Sequence, residues 1–135
     1  MANAAIQLNT EPYDASVARP MGRHSAGEGF LRGFLKHADV ERFHFWNVAN
    51  QAHAELEALL ERLGPVTKPV EWLARAERHR LAEAGCLYIP TPELRNEAWA
   101  RRASGGTAYS LTGVTHTIAE PYILDEIAGM LLAPL

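Results

Sequence analysis

Arg42-Phe43-His44-Phe45-Trp46-Asn47 opens a stretch, RFHFWNVANQAHAELEALLERLGP, in which the spacing of the apolar residues changes once, between Asn47 and Leu56. The first six residues alternate and are aromatic, which suits a strand. Leu56, Leu59, Leu60 and Leu63 then recur three and four apart, forming one stripe on a helix that Gly64-Pro65 closes. A strand handing over to a helix in this way is half of a βαβ unit, and its partners should lie on either side.

Upstream, Ala4 to Leu8 is a short apolar patch that predicts a first strand, and Pro12 and Pro20 make Thr10 to Gly22 a loop. Ser25 reads as an N-cap with Glu28 three residues later, and Phe30, Leu31, Phe34 and Leu35 follow at helical spacing, so a helix is expected from Ala26 to His37. Downstream, Val70 to Leu73 predicts a short strand and Arg75 to Ala84 a charged helix. Cys86-Leu87-Tyr88-Ile89 is a continuous apolar run ending at Pro90, the pattern of a strand buried on both faces. Glu93 to Arg102 is helical by propensity, Ser104-Gly105-Gly106 breaks it, and Ala108 to Thr117 is rich in β-formers. In Tyr122 to Leu132, Ile123, Ile127 and Leu131 stand four apart on one helical face. Strands alternating with helices predict an α/β fold: a parallel sheet covered by helices on both faces, since each parallel crossover needs a connecting helix. The sign-alternating run Glu71 to Glu83 reads as a solvated face with modest ion pairs, and Trp46, Trp72 and Trp99 as core or edge packing.

The chain has 135 residues, enough for a single domain over 1–135, and its 47% hydrophobic and 21% charged content is that of a packed globule. A net charge of -3 with scattered basic residues lacks the concentrated positive field that nucleic acid needs, so no nucleic-acid partner is expected. One cysteine, Cys86, cannot form an internal disulfide and fits a reducing compartment. The first residues have no basic region followed by an apolar run, and no stretch approaches a membrane span. A cytoplasmic protein touching at most a membrane surface is expected. Leu131-Leu132-Ala133-Pro134-Leu135 stays apolar to the last residue, which predicts a chain truncated at its C-terminal end, because domain ends are usually polar.

Chemistry has two candidate homes. Gly22-Arg23-His24-Ser25-Ala26-Gly27-Glu28-Gly29 is a glycine-rich turn opening the first helix, where backbone can approach a ligand and free N–H groups favour anions. It is neither G-x-G-x-x-G nor a Walker A loop, and on these residues alone a flexible turn with a helix cap is the plainer reading. Tyr109-Ser110-Leu111-Thr112-Gly113-Val114-Thr115-His116-Thr117 is a strand ending in a histidine between hydroxyls, and ligands of open α/β sheets bind beyond the carboxyl ends of strands. There the plain alternative is a strand-end histidine satisfied by backbone. The other histidines are scattered without metal-ligand spacing, so no metal is expected. Cys86 reads as a small buried hydrophobe, and no serine sits in a nucleophile elbow.

Met21-Gly22-Arg23-His24-Ser25-Ala26-Gly27-Glu28-Gly29-Phe30-Leu31, taken with Leu111-Thr112-Gly113-Val114-Thr115-His116-Thr117-Ile118-Ala119, resembles the N-terminal region of bacterial group 1, family 4-like glycosyltransferases of the GT-B type. The resemblance runs from about Ala4 onward and implies a Rossmann-like, acceptor-side domain facing a cleft. It implies that Gly22, Arg23, His24, Ser25 and Gly27 approach donor phosphates or acceptor, that Thr115 borders the site, and that His116 contacts the transferred sugar. The implied reaction moves a sugar from a nucleotide-sugar donor to an acceptor hydroxyl without a cofactor, and the domain alone should be inactive. The family's usual paired glycines are separated here, and the donor-binding domain does not occur in these residues. Two other readings stand beside it: a small non-catalytic α/β module for an anionic ligand, and a hydrolase with His116 as general base.

Overall fold

A computed structural model describes residues 3–115, 118 and 120–134. Strand β1 (Ala5–Gln7) leads to helix α1 (Gly22–His37), then β2 (Phe43–Asn47), α2 (His53–Leu63), β3 (Val70–Ala74), α3 (Leu81–Ala84), β4 (Cys86–Ile89), α4 (Arg95–Arg101), β5 (Ser110–Gly113) and α5 (Pro121–Gly129). Single-turn 3-10 segments cover Glu11–Tyr13, Arg102–Ser104 and Met130–Leu132, and a longer one runs from Arg75 to Arg80. All five strands are parallel in the order β3-β2-β1-β4-β5, so the chain builds outward from β1 and then returns to add β4 and β5 on its other side. This is a Rossmann-like α/β sheet.

Alternation along the strands explains why both faces had to be covered. Ile6, Phe43, Phe45 and Tyr88 point to one face, where they pack with Leu31 and Leu35 of α1 and with all four leucines of α2. Ala5, Trp46, Leu73, Leu87 and Ile89 point to the other, where Leu81 and Ala84 of α3 and Tyr109 meet them. Each leucine of the α2 stripe is at most 4% exposed, a burial that contributes roughly 1.5–3 kcal/mol per side chain. Phe30 stacks on Tyr88 at 4.0 Å between centroids, and Phe45 meets Trp72 at the β3 edge.

Three expectations are revised. Helix α1 starts at Gly22, a turn before the predicted Ala26, because the imidazole of His24 accepts a hydrogen bond from the Met21 N–H (2.9 Å) and satisfies the helix entrance in place of Ser25. The glycine-rich segment is therefore the helix's first two turns rather than a loop. Arg75 to Ala84 divides into a 3-10 stretch and one α-turn, which Gly85 ends at φ 76°, a left-handed conformation glycine adopts without strain. Cys86 is half-buried, with Sγ 3.6 Å from the Thr112 hydroxyl, rather than enclosed. Among the described residues no helix is long and apolar enough to cross a membrane.

Candidate functional site

Connections leave β1 and β4 in opposite directions, toward β2 on one side and β5 on the other, so the loops beyond their carboxyl ends diverge. A crevice at such a switch point is where open α/β sheets place ligands. Here a cleft of about 220 Å³ lies among Arg23 at the start of α1, Thr91 and Glu93 after β4, and Glu120, Tyr122 and Ile123 at the start of α5.

The walls are fixed by the chain around them. Asn47 and Gln51 bond each other through side chain and backbone after β2, and Gln51 bonds both the N–H and the hydroxyl of Thr10, clipping the loop after β1 to the loop after β2. Tyr13 is fully buried and donates to the Gln7 carbonyl at 2.8 Å. A Cβ at Gly27 would stand 2.0 Å from the Pro12 carbonyl oxygen, so only glycine lets α1 lie this close to the Glu11–Tyr13 turn. A Cβ at Gly113 would stand 2.5 Å from the Thr91 carbonyl oxygen, which presses the end of β5 against one wall of the cleft.

Its electrostatics follow from a small set of groups. Glu11 accepts from Arg23 at 2.5 Å and from His24 Nε2 at 3.1 Å. Since His24 Nδ1 is an acceptor toward Met21, its hydrogen sits on Nε2. The positive end of α1, which favours an anion, thus already has a carboxylate beside its first turn. Across the cleft the Glu93 carboxylate acts on the Tyr122 hydroxyl and pushes the phenol above its ordinary pKa. Two further polar atoms at this edge, Asn9 Oδ1 and Arg23 Nε, are buried without a hydrogen-bond partner among the described residues.

The residues singled out in the sequence separate in the structure. Arg23 lines the cleft, half-buried, while His24 is buried behind it with only 4% exposure. Glu11 brings the two together. Gly22 and Ser25 are exposed on α1, and Gly27 is turned toward Pro12 rather than toward solvent. Thr115 is exposed just beyond β5, and His116 lies outside the described residues. Glu11, Glu93, Glu120 and Tyr122 were not singled out. They stand on turns and helix starts, where no periodicity marks them; Glu93 and Glu120, each just past an expected strand, had the only available signal, position at the carboxyl edge. Among the described residues no three histidine, cysteine or carboxylate side chains gather where they could share a metal ion. Compared with family models, curated proteins and solved structures, the chain finds no match.

Proposed function

We propose that the chain is the acceptor-side domain of a GT-B-type glycosyltransferase, working in the cytoplasm, and that the carboxyl-edge cleft receives the hydroxyl-bearing acceptor. The observation that carries this reading is the lining of the cleft. Glu93 and Glu120 offer carboxylate oxygens that accept from hydroxyls, Tyr122 and Thr91 offer hydroxyls of their own, and Pro92 and Ile123 supply apolar surface for a ring face. Such a lining suits a neutral polyol better than a polyphosphate, which the two carboxylates would repel. The donor nucleotide sugar would sit across the interdomain cleft on a second domain, with Arg23 on the near side. Catalysis then requires no group beyond preorganised donors for the departing phosphate charge. A peripheral membrane contact belongs to the same proposal only where the acceptor is lipid-borne.

The other reading, a non-catalytic module holding an anion at the start of α1, requires Glu11 to leave Arg23 and His24. The protein as its gene encodes it decides between them. Transfer from nucleotide sugars should be measured with the unaltered protein and with Glu93→Gln, Arg23→Ala and His116→Ala. The proposal expects transfer in the unaltered protein, a raised acceptor KM in Glu93→Gln and a lower kcat in His116→Ala. Absence of transfer with any nucleotide sugar, together with phosphate binding that Arg23→Ala abolishes, would establish the module instead.

A further inference from the structure

At the opposite, amino edge of the sheet lies a second cavity, of about 330 Å³, lined by Asn3, Glu41, Arg42, His44 and Glu83. Its floor is His44, the second residue of β2, a side chain on the same face as Trp46 and only 5% exposed. The hydrogen bonds around this ring determine where its proton sits. Asn3 Oδ1 accepts from the Ala4 N–H at 2.8 Å, and Asn3 Nδ2 donates to the Arg42 carbonyl at 3.1 Å. A backbone N–H can only donate and a carbonyl can only accept, so these two partners fix the orientation of the amide from both ends. The atom 3.1 Å from His44 Nδ1 is therefore the Asn3 nitrogen, and Nδ1 must be the acceptor. The ring is neutral, with its hydrogen on Nε2.

A proton taken from solvent onto Nδ1 would set two donors face to face. Rotation of the Asn3 amide restores an acceptor there and gives up the bonds to Ala4 and Arg42. Charged groups surround the ring: Glu71, its register partner on β3, Glu83 on α3, Glu41 and Arg42 just before β2, and Arg80 at the end of the 3-10 stretch, while its β1 partner Ala5 carries none. We propose that Asn3 and His44 form a proton-operated latch: protonation of Nδ1 expels the Asn3 amide, frees the backbone ahead of β1, and leaves an imidazolium on the amino-edge cavity that Glu41 and Glu83 also line.

Burial holds the ring below the ordinary histidine range, with Arg42 and Arg80 assisting and the two glutamates opposing. A ring that binds its proton less readily in the native state than in the unfolded one contributes stability that is whole above about pH 6.5 and declines as pH falls toward the native value. The latch thus opens on acidification, as pH falls below the ordinary histidine range. It stands apart from the carboxyl-edge cleft and from any reading of its function.

The test is an NMR titration of the His44 ring, with amide hydrogen exchange followed in parallel and a histidine in a short unstructured peptide as reference. The latch predicts His44 in the Nε2–H tautomer, titrating below the peptide, with exchange at the Ala4 amide, corrected for its intrinsic pH dependence, accelerating in step with the ring. In Asn3→Asp a carboxylate would face Nδ1 and accept its proton, so His44 should titrate above the peptide; in Asn3→Ala it should rise partway. An Nδ1–H tautomer, a His44 that titrates with or above the peptide, or an Ala4 amide indifferent to the transition would each overturn the proposal.

Discussion

Replacing Gly27 by alanine, with Gly29→Ala as its partner experiment, separates two effects that act on the same helix. Both glycines lie inside α1, and an alanine in a helix interior gains roughly 1 kcal/mol over glycine from backbone entropy. At Gly29 nothing stands within 4 Å of the added Cβ, so Gly29→Ala should stabilise the fold by about that amount. At Gly27 the same atom would come to 2.0 Å from the Pro12 carbonyl oxygen and 3.1 Å from its carbon, both backbone atoms that no side-chain rotation can clear. The helix and the Glu11–Tyr13 turn must part. Overpacking of this kind costs roughly 1–3 kcal/mol, and an overlap this deep belongs at the upper end. Subtracting the entropy gain leaves a net loss of about 2 kcal/mol, or roughly 6–10 °C in Tm for a chain of this length. Urea unfolding of the two variants beside the parent measures both. Because the turn carries Glu11, Gly27→Ala should also loosen the Glu11–Arg23 pair, visible as a changed Arg23 side-chain NMR signal. A Gly27→Ala protein as stable as the parent, with Gly29→Ala behaving as expected, would refute the close approach of α1 to Pro12.

Three further outcomes are expected. Tyr13→Phe leaves the Gln7 carbonyl without its partner and should lower stability by about 1 kcal/mol in urea; an unchanged midpoint would contradict the bond. Arg80 ties Glu71, Glu77 and Glu83 together, and its hydrogen bonds hold Glu71 and Glu83 below the ordinary carboxylate range, while at Glu77 the Ala74 N–H contributes first. A lowered carboxyl pKa stabilises above about pH 4.3 and loses that contribution as pH falls through the native value. In Arg80→Ala, NMR titration should therefore find Glu71 and Glu83 back near ordinary values, Glu77 moved less, and the acid limb of the stability curve flatter. In the cleft, Glu93→Gln removes the carboxylate that raises Tyr122, so the absorbance titration of that phenol should move down toward its ordinary value; an unmoved phenol would separate the two side chains.

The layered α/β architecture was legible because strand and helix stripes are long-range patterns repeated in one chain. Cys86–Ile89 matched its predicted strand, and the Leu56 to Leu63 stripe lies where its spacing put it. Local rules did less well where two of them competed. Ser25 with Glu28 satisfied the capping pattern, yet His24 took the cap by reaching back to Met21, and no residue preference announces a histidine in that role. Gly27 read as a ligand-approach glycine, but its missing Cβ accommodates Pro12, a contact made by a fold the local spacing does not encode. Arg23 was singled out from its place at a helix entrance, and it lines the cleft. Glu11, its carboxylate partner, stands 12 residues earlier in a proline-containing turn, where an acidic residue is ordinary. Glu93 and Tyr122 meet only because α5 packs beside the loop after β4, a tertiary fact without a sequence period.

The most direct test of the carboxyl-edge cleft as an acceptor site is amide chemical-shift mapping of the isotope-labelled protein against a panel of neutral sugars and glycosides, with inorganic phosphate and a nucleotide as comparators. If the cleft receives the acceptor, a neutral sugar perturbs Thr91, Glu93, Tyr122 and Arg23 together and saturates, and Glu93→Gln weakens the effect. Perturbation by phosphate alone, centred on Glu11 and the first turn of α1, or sugar shifts scattered away from the cleft, would contradict it.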